Sequence, residues 1–340
     1  MSFLENIEFV DESRRTEIEV FLEEWNSTDE IVKVNSSGST GTPKTIAIEK
    51  KFMRQSAKET LEFLYLKKGD TAYLCLSTET IAGKMMVVRC ILGELKLVVG
   101  PISASSLSSY HTKIDFTAIV PLQLEHVLTN HPTRLQSIHS VIVGGAPVSD
   151  RLINELSEKQ LTVFQTYGMT ETISHVAMRK IGFQSEEFYT ALPRTSFSLG
   201  KQDNLIIHSS DIGVENLETT DYVELLSPTQ FSWKGRTDFI INSGGKKIVP
   251  EEVEKIISTL IDLPFFVSAV DDQSLGQKVI LVIEGLESIQ IKKTILAELL
   301  PKFQVPKEVV YFNQFVRTAS GKINRIESMK LYPDAFKEIL

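Results

Sequence analysis

Cysteine is nearly absent from this 340-residue chain: Cys75 and Cys90 are too few for a disulfide framework, and both stand among apolar residues, so they read as buried, reduced thiols. No metal-ligand pattern uses them. No apolar run approaches the roughly 18 residues needed to span a bilayer, and the acidic start lacks the basic flank and apolar segment of a secretory signal. A cytoplasmic location without stable membrane insertion is therefore expected. Excess positive charge is missing too, since 36 Lys and Arg stand against 44 Asp and Glu for a net charge of −8. Nucleic-acid and anionic-membrane affinity comes largely from neutralised phosphates, so neither is expected as a general partner, and basic residues should matter locally. Internal repeats and low-complexity tracts are absent.

What is present is regular alternation. Ile18, Phe21, Leu22 and Trp25 fall at helical spacing with acids around the rest of the turn, which predicts an amphipathic helix on the core. Apolar β-rich runs recur at 71–76, 95–99, 118–120, 140–143 and 162–165, separated by helix-compatible stretches such as 84–92, 121–128 and 150–158. That alternation predicts an α/β fold with a largely parallel sheet. From Leu205 onward short strands and turns dominate, Asn204 to His208 and Tyr222 to Leu226 being the clearest. A boundary is expected at Arg236 to Asp238. Beyond it Pro250 to Ile257 opens as a helix with Pro and two acids, which suit a first turn whose N–H groups lack internal acceptors. Runs at 267–270, 279–283, 289–300 and 309–312 then read strand, strand, helix, strand. The expected organisation is a large domain over 1–236 and a small α+β domain over 237–340.

Ser36-Ser37-Gly38-Ser39-Thr40-Gly41-Thr42-Pro43-Lys44 follows a short strand at Ile31 to Val34. Hydroxyls, glycine-freed backbone amides and one ammonium are what a polyphosphate-gripping loop needs. The spacing differs from G-x-x-x-x-G-K-[ST], so this is another kind of phosphate loop. Taken alone, the same composition also fits a solvated linker.

Four more blocks follow in order: Gly144-Gly145-Ala146-Pro147; Thr166-Tyr167-Gly168-Met169-Thr170-Glu171-Thr172; Gly235-Arg236-Thr237-Asp238 running into Ile241 to Glu254; and Ser320-Gly321-Lys322-Ile323-Asn324-Arg325. Together the five resemble the adenylate-forming superfamily of acyl-CoA and aryl-CoA synthetases, peptide-synthetase adenylation domains and luciferases. The fourth block is most similar to those of the 2-succinylbenzoate–CoA ligases of menaquinone biosynthesis, particularly abbreviated bacterial ones. The resemblance implies a truncated adenylate-forming fold: a large domain with mostly parallel sheets and flanking helices, and a mobile lid. It implies ATP, Mg²⁺ and coenzyme A as cofactors, and a carboxylic acid as the small-molecule partner. Ser36, Ser37, Gly38, Ser39, Thr40, Gly41 and Lys44 would grip the outer phosphates. Gly144, Gly145 and Ala146 would pass flat against adenine and Tyr167 would stack on its other side, with Thr166 and Gly168 of the same block also binding the nucleotide. Thr170 would approach the α-phosphate, and Glu171 would hold Mg²⁺, a metal that takes few protein oxygens. Asp221 and Arg236 would meet the ribose, although the family usually has Gly where Thr220 precedes Asp221. Lys322 would bridge acid and α-phosphate as the catalytic lysine. Asp238 matches the hinge, and Ser243, Gly244 and Gly245 would line the pantetheine tunnel.

At the acyl pocket the resemblance thins. Leu76 to Gly83 carries Thr80 where many relatives have an aromatic residue or His, and no Asp stands between Leu74 and Arg89 to pair a substrate ammonium, which disfavours an amino acid. Lys84 and Arg89 read either as attractors of a dicarboxylate or as snorkelling surface cations. His175 reads either as a pocket residue or as a structural one. Only 35 residues precede the phosphate loop, fewer than family members usually carry, so uncovered surface would suit a homodimer or another partner. The implied activity is AMP-forming ligation of an acid, with 2-succinylbenzoate favoured, to CoA. The rivals are another aryl or acyl acid, an adenylating enzyme that loads a carrier protein, and a nucleotide-binding regulator without turnover.

Overall fold

The computed structural model describes residues 3–36, 44–285, 293–317 and 323–340. Its strands run β1 (Ile7–Phe9), β2 (Ile31–Ser36), β3 (Lys44–Glu49), β4 (Thr71–Leu74), β5 (Lys96–Val99), β6 (Ile114–Ile119), β7 (Ile138–Val143) and β8 (Thr162–Gly168). There follow β9 (His175–Gly182), β10 (Tyr189–Ala191), β11 (Ser196–Leu199), β12 (Asn204–Ser209), β13 (Val214–Ser227) and β14 (Gln230–Arg236). Twelve of these form one sheet in the order β1-β5-β4-β6-β7-β8-β9-β10-β14-β13-β12-β11. The first six are parallel, as the strand–helix alternation predicts. From β9 onward every pairing is antiparallel, so the short strands after Leu205 extend the same sheet.

Helices α1 (Arg15–Asn26), α2 (Lys50–Phe63) and α3 (Ile81–Gly93) pack on this sheet. The predicted stripe of α1, Ile18, Phe21, Leu22 and Trp25, is buried. In α3 every residue from Gly83 to Cys90 is buried, charged ones included, so its Lys and Arg do not lie on a surface. β6 begins at Ile114, earlier than its apolar run indicates, because Asp115 is satisfied inside the sheet: its carboxylate accepts the Thr71 N–H at 2.9 Å and pairs with Lys113 at 2.6 Å. Cys75 and Cys90 are buried and unpaired with each other, and burial pushes both thiols up to about 12.

β2 and β3 form a separate antiparallel hairpin in which Ser36 faces Lys44 in register. Ser37, Gly38, Ser39, Thr40 and Gly41 lie between them, outside the described residues.

The remaining strands, β15 (Ile241–Ser243), β16 (Lys246–Ile248), β17 (Phe265–Asp272), β18 (Gly276–Glu284), β19 (Glu308–Phe312) and β20 (Phe336–Ile339), form a second sheet. A helix at Pro250–Ile257, with the bounds its proline and acids predict, packs against β17. Its cores draw only on residues from Ile241 onward, and the large sheet's cores only on residues up to Trp233. Among the described residues no helix is long and apolar enough to cross a membrane.

Candidate active site

Loops at the carboxyl ends of parallel strands are where open α/β sheets bind ligands. β7 and β8 deliver two of the sequence blocks there side by side. Gly144 leaves β7 with its N–H bonded to the Ile119 carbonyl at 3.1 Å. A Cβ on Gly144 would stand 2.4 Å from Thr166 Oγ1, so only glycine lets the two strand ends approach. The Thr166 hydroxyl in turn donates to the Val143 carbonyl at 3.2 Å. Gly145 continues with φ +83°, a conformation costly for any side chain, and leads into Ala146. Gly168 is likewise pinned, since a Cβ there would stand 2.2 Å from the Ser174 carbonyl oxygen.

Immediately beyond β8, Thr170–Thr172 form a 3₁₀ turn that lifts Glu171 into solvent while Thr172 is buried. The Ser174 N–H then bonds the Thr172 carbonyl at 2.6 Å around Ile173, whose φ is +66°. This is a γ-turn centred on a buried β-branched residue, a strained arrangement that costs on the order of 1–3 kcal/mol. Such strain persists only where the surroundings over-determine it, and Ile173 is buried in the core two residues after Glu171. Among the described residues the Glu171 carboxylate has no hydrogen-bond or ion-pair partner, and no cluster of three or more His, Cys, Asp or Glu could cage a metal. One exposed carboxylate without a partner among the described residues fits a magnesium ion that would take its other ligands from phosphate and water.

Tyr167 and Asp221, far apart in sequence, meet across β8 and β13. The Tyr167 hydroxyl donates to Asp221 Oδ2 at 2.5 Å, and Trp233 Nε1–H donates to Oδ1 at 3.0 Å. Burial first, and then the Asp221 charge, push the Tyr167 phenol well above its ordinary range, so it stays a donor. Its ring packs edge-on against Phe231 at 5.0 Å and tilted on Tyr189 at 5.8 Å, which makes it part of the core as well as of the strand end. Arg236 is the register partner of Asp221 on β14 and pairs with Asp238 at 2.6 Å. Trp233, which holds the other carboxylate oxygen, escaped the sequence reading, because its signal is a single position in a strand outside the recognised blocks.

Arg89 departs furthest from the surface alternative. It is 1% exposed, and its Nη2 donates to Ser174 Oγ at 2.7 Å, two residues beyond Thr172. Its buried Nε has no partner among the described residues, and no carboxylate pairs with it there. Burial pulls its guanidinium down to about 10, which still leaves it charged at neutral pH. His175 lies on the same side, with Nδ1 3.2 Å from Ser174 Oγ and Nε2 3.0 Å from Thr60 Oγ1. Burial, and then Arg89, hold its imidazole well below the usual range, so it is neutral. Lys84, by contrast, is spoken for: its Nζ lies 2.7 Å from Glu24 and 4.5 Å above the Phe21 ring. Among the described residues the cationic feature of α3 therefore reduces to one buried arginine without a carboxylate partner, bonded to Ser174 three residues beyond Glu171.

Residues 7–204 match the family described as AMP-binding enzyme, which covers more than half of the chain. The chain belongs to that family. An acyl-CoA synthetase (AMP-forming)/AMP-acid ligase II-like protein from Dyadobacter fermentans is 32% identical, with a TM-score of 0.64 over 94% of this chain and 95% of that one. The 2-succinylbenzoate–CoA ligase of Lactococcus lactis is 25% identical over 87% of this chain and 70% of its own length. The fold is also shared with O-succinylbenzoate coenzyme A synthetase from Bacillus subtilis, solved with ATP and magnesium ion, at 21% identity and TM-score 0.73 over 87% of this chain and 69% of that one.

As an AMP-binding enzyme the chain brings Gly144, Gly145, Thr166, Tyr167, Gly168, Thr170, Glu171, Asp221 and Arg236 to one end of its large sheet or to the strands beside it. Ser243, Gly244 and Gly245 belong instead to the smaller sheet. Gly244 and Gly245 have φ of +55° and +76° in the turn joining β15 to β16, and the Gly244 N–H bonds the Leu275 carbonyl at 2.9 Å. Lys322 lies outside the described residues.

Proposed function

We propose that this AMP-binding enzyme is an AMP-forming acid–thiol ligase acting in the cytoplasm on an aryl dicarboxylate, with 2-succinylbenzoate favoured. In the first half-reaction a carboxylate oxygen of the acid bonds to the α-phosphorus of ATP, and the bond to the β-phosphate oxygen breaks to release pyrophosphate. In the second, the CoA sulfur bonds to the acyl carbon, the carbon–oxygen bond to phosphate breaks, and AMP leaves. Residues 1–236 form the nucleotide- and acid-binding domain in this reading, and 237–340 the lid that turns about Asp238.

Each residue then has a task. Ser36 to Lys44 hold the outer phosphates. Gly144, Gly145 and Ala146 give adenine a flat wall, with Tyr167 beside it, and Asp221 with Arg236 faces the ribose. Glu171 holds Mg²⁺, which neutralises phosphate charge when bound, while Thr170 approaches the α-phosphate. Lys322 supplies a cation as charge builds between the two anions. Ser243, Gly244 and Gly245 line the path of the thiol after the lid turns.

The observation that carries the acid class is Arg89. Among the described residues its guanidinium has a free buried donor and no carboxylate partner, which is costly unless an anion arrives, and a second carboxylate on the acid is that anion. Acid-dependent pyrophosphate release over a panel of carboxylic acids tests the reading. Turnover with 2-succinylbenzoate, and little with its monocarboxylate analogues, is the expected result. Turnover with another acid alone would move the substrate assignment to the rival acids. Stabilisation by nucleotide without any pyrophosphate release would make the protein a binder instead of a ligase.

A further inference from the structure

The residues ahead of the phosphate loop do more than cover the sheet edge. Arg14 is 4% exposed at the start of α1, and all five of its N–H donors are used. Nη1 donates to the carbonyls of Leu74 at 3.1 Å and Gly100 at 2.7 Å, which terminate β4 and follow β5. Nη2 donates to the Leu76 carbonyl at 2.7 Å, and the remaining two donors fork onto the Glu17 carboxylate at 3.0 and 3.1 Å. Glu17 also accepts from the Thr78 N–H at 2.5 Å, the Thr78 hydroxyl at 2.9 Å and the Ser77 hydroxyl at 3.2 Å. One ion pair thus holds five groups of the crossover from β4 to α3 and one beyond β5. The crossover is equally constrained below, since a Cβ on Gly83 would stand 2.0 Å from the Ser77 carbonyl oxygen. α3 therefore inherits its position from this clasp, and α3 carries Arg89.

We propose that Arg14 and Glu17 are positioning residues for the acid: by fixing the crossover at Leu76 to Thr80 they set where α3 places the Arg89 guanidinium. The inference rests on the ligase reading above. The nucleotide contacts proposed above come from the hairpin of β2 and β3 and from β7, β8, β13 and β14, and none of the clasp's hydrogen bonds among the described residues goes to these strands, so its effect should fall on the acid. A displacement of about 1 Å at such a distance is enough to cost on the order of 100-fold in a reacting geometry.

The test measures pyrophosphate release by wild type, Glu17→Ala and Arg14→Lys with the acid and ATP varied separately, beside thermal unfolding of each. Arg14→Lys keeps the charge and loses the fork, so it remains informative if Glu17→Ala does not fold. The expected result is a KM for the acid raised about 10- to 100-fold in Glu17→Ala and less in Arg14→Lys, with the KM for ATP within about twofold of wild type. An acid KM unchanged in folded variants, or acid and ATP KM rising together, would overturn the proposal and leave the clasp as general scaffold. Failure of the ligase reading would show differently, as absence of turnover in the wild type itself.

Discussion

Replacing Arg89 by Met should make the protein more stable and a poorer enzyme at once. The guanidinium's shift from 12.5 to about 10 corresponds to about 3 kcal/mol held against the charged form, at about 1.4 kcal/mol per tenfold change. A depressed pKa on a base means that this cost is present in full below about pH 10 and is relieved only as the pH rises past it, so no physiological pH removes it. Methionine of similar length removes the charge and fills the space. It gives up the bond to Ser174, worth about 1 kcal/mol net, and Ser174 keeps His175 as a partner at 3.2 Å. The balance favours Arg89→Met by about 2 kcal/mol, equivalent to a Tm rise of about 4–8 °C for a domain of this size.

The same change should weaken the acid. Charge-assisted hydrogen bonds to a carboxylate contribute about 1.5–3 kcal/mol, so the KM for a dicarboxylate should rise about 10- to 150-fold while that for ATP stays within about twofold. Arg89→Lys should recover little of this, because a compact ammonium cannot reproduce a planar fork from the same backbone position. Thermal unfolding and pyrophosphate release on the same preparations decide the matter. A variant that unfolds several degrees lower and keeps its acid KM would refute the reasoning, since Arg89 would then be a structural cation whose hydrogen bonds outweigh its burial.

Gly144→Ala puts a methyl 2.4 Å from Thr166 Oγ1, so a loss of about 1–3 kcal/mol in stability and a sharp rise in the KM for ATP are expected from unfolding and kinetic measurements. Lys322→Ala should lower acid-dependent ATP–pyrophosphate exchange at least about 10²–10³-fold while AMP binding by calorimetry is retained. Cys75 and Cys90, with thiols pushed up to about 12, should resist a disulfide reagent in the native protein and both react in denaturant. His175 has a folded pKa held below its unfolded one, so it contributes nothing to pH dependence above about pH 6.5 and withdraws up to about 1.4 kcal/mol per pH unit below that. His175→Asn should therefore lose less stability than wild type between pH 6 and 4 in a denaturant titration.

Much of the parallel half of the sheet was legible because each element carries its own period. The α1 stripe and the helix at Pro250–Ile257 have apolar positions at helical spacing, and the latter also has a first turn marked by proline and acids. β6 was legible only in its apolar part, since Asp115 is made acceptable in part by the Thr71 N–H on β4, a strand distant in sequence. The glycines of the site were legible as residues without a side chain, but not their cause, which is the approach of Thr166 to Gly144 and of Ser174 to Gly168. Trp233 and the strained Ile173 left no mark, because a hydrogen bond across strands and a positive φ on isoleucine follow from tertiary constraint and not from propensity.

The alternatives left open for Arg89 show why sequence alone could not choose. An arginine on an apolar helix snorkels if any side of that helix reaches water, and the residues flanking it in sequence do not say which sides are covered. Coverage of α3 comes from α1 through Phe21 and Glu24, which meet Lys84 of α3, from α2, and from the turn after β8 through Ser174. Once all three are in place, the guanidinium has nowhere to reach, and its charge becomes either a defect or a site. The partners it does have distinguish these: a defect would be expected to recruit a carboxylate or a backbone carbonyl cluster, as Arg14 does with five acceptors. Among the described residues Arg89 has one hydroxyl and a neutral histidine nearby, an arrangement that leaves a donor unspent beside the turn after β8. The contrast between two buried arginines on one sheet, one saturated and one with a donor left over among the described residues, is the physical basis for proposing the acid at the second.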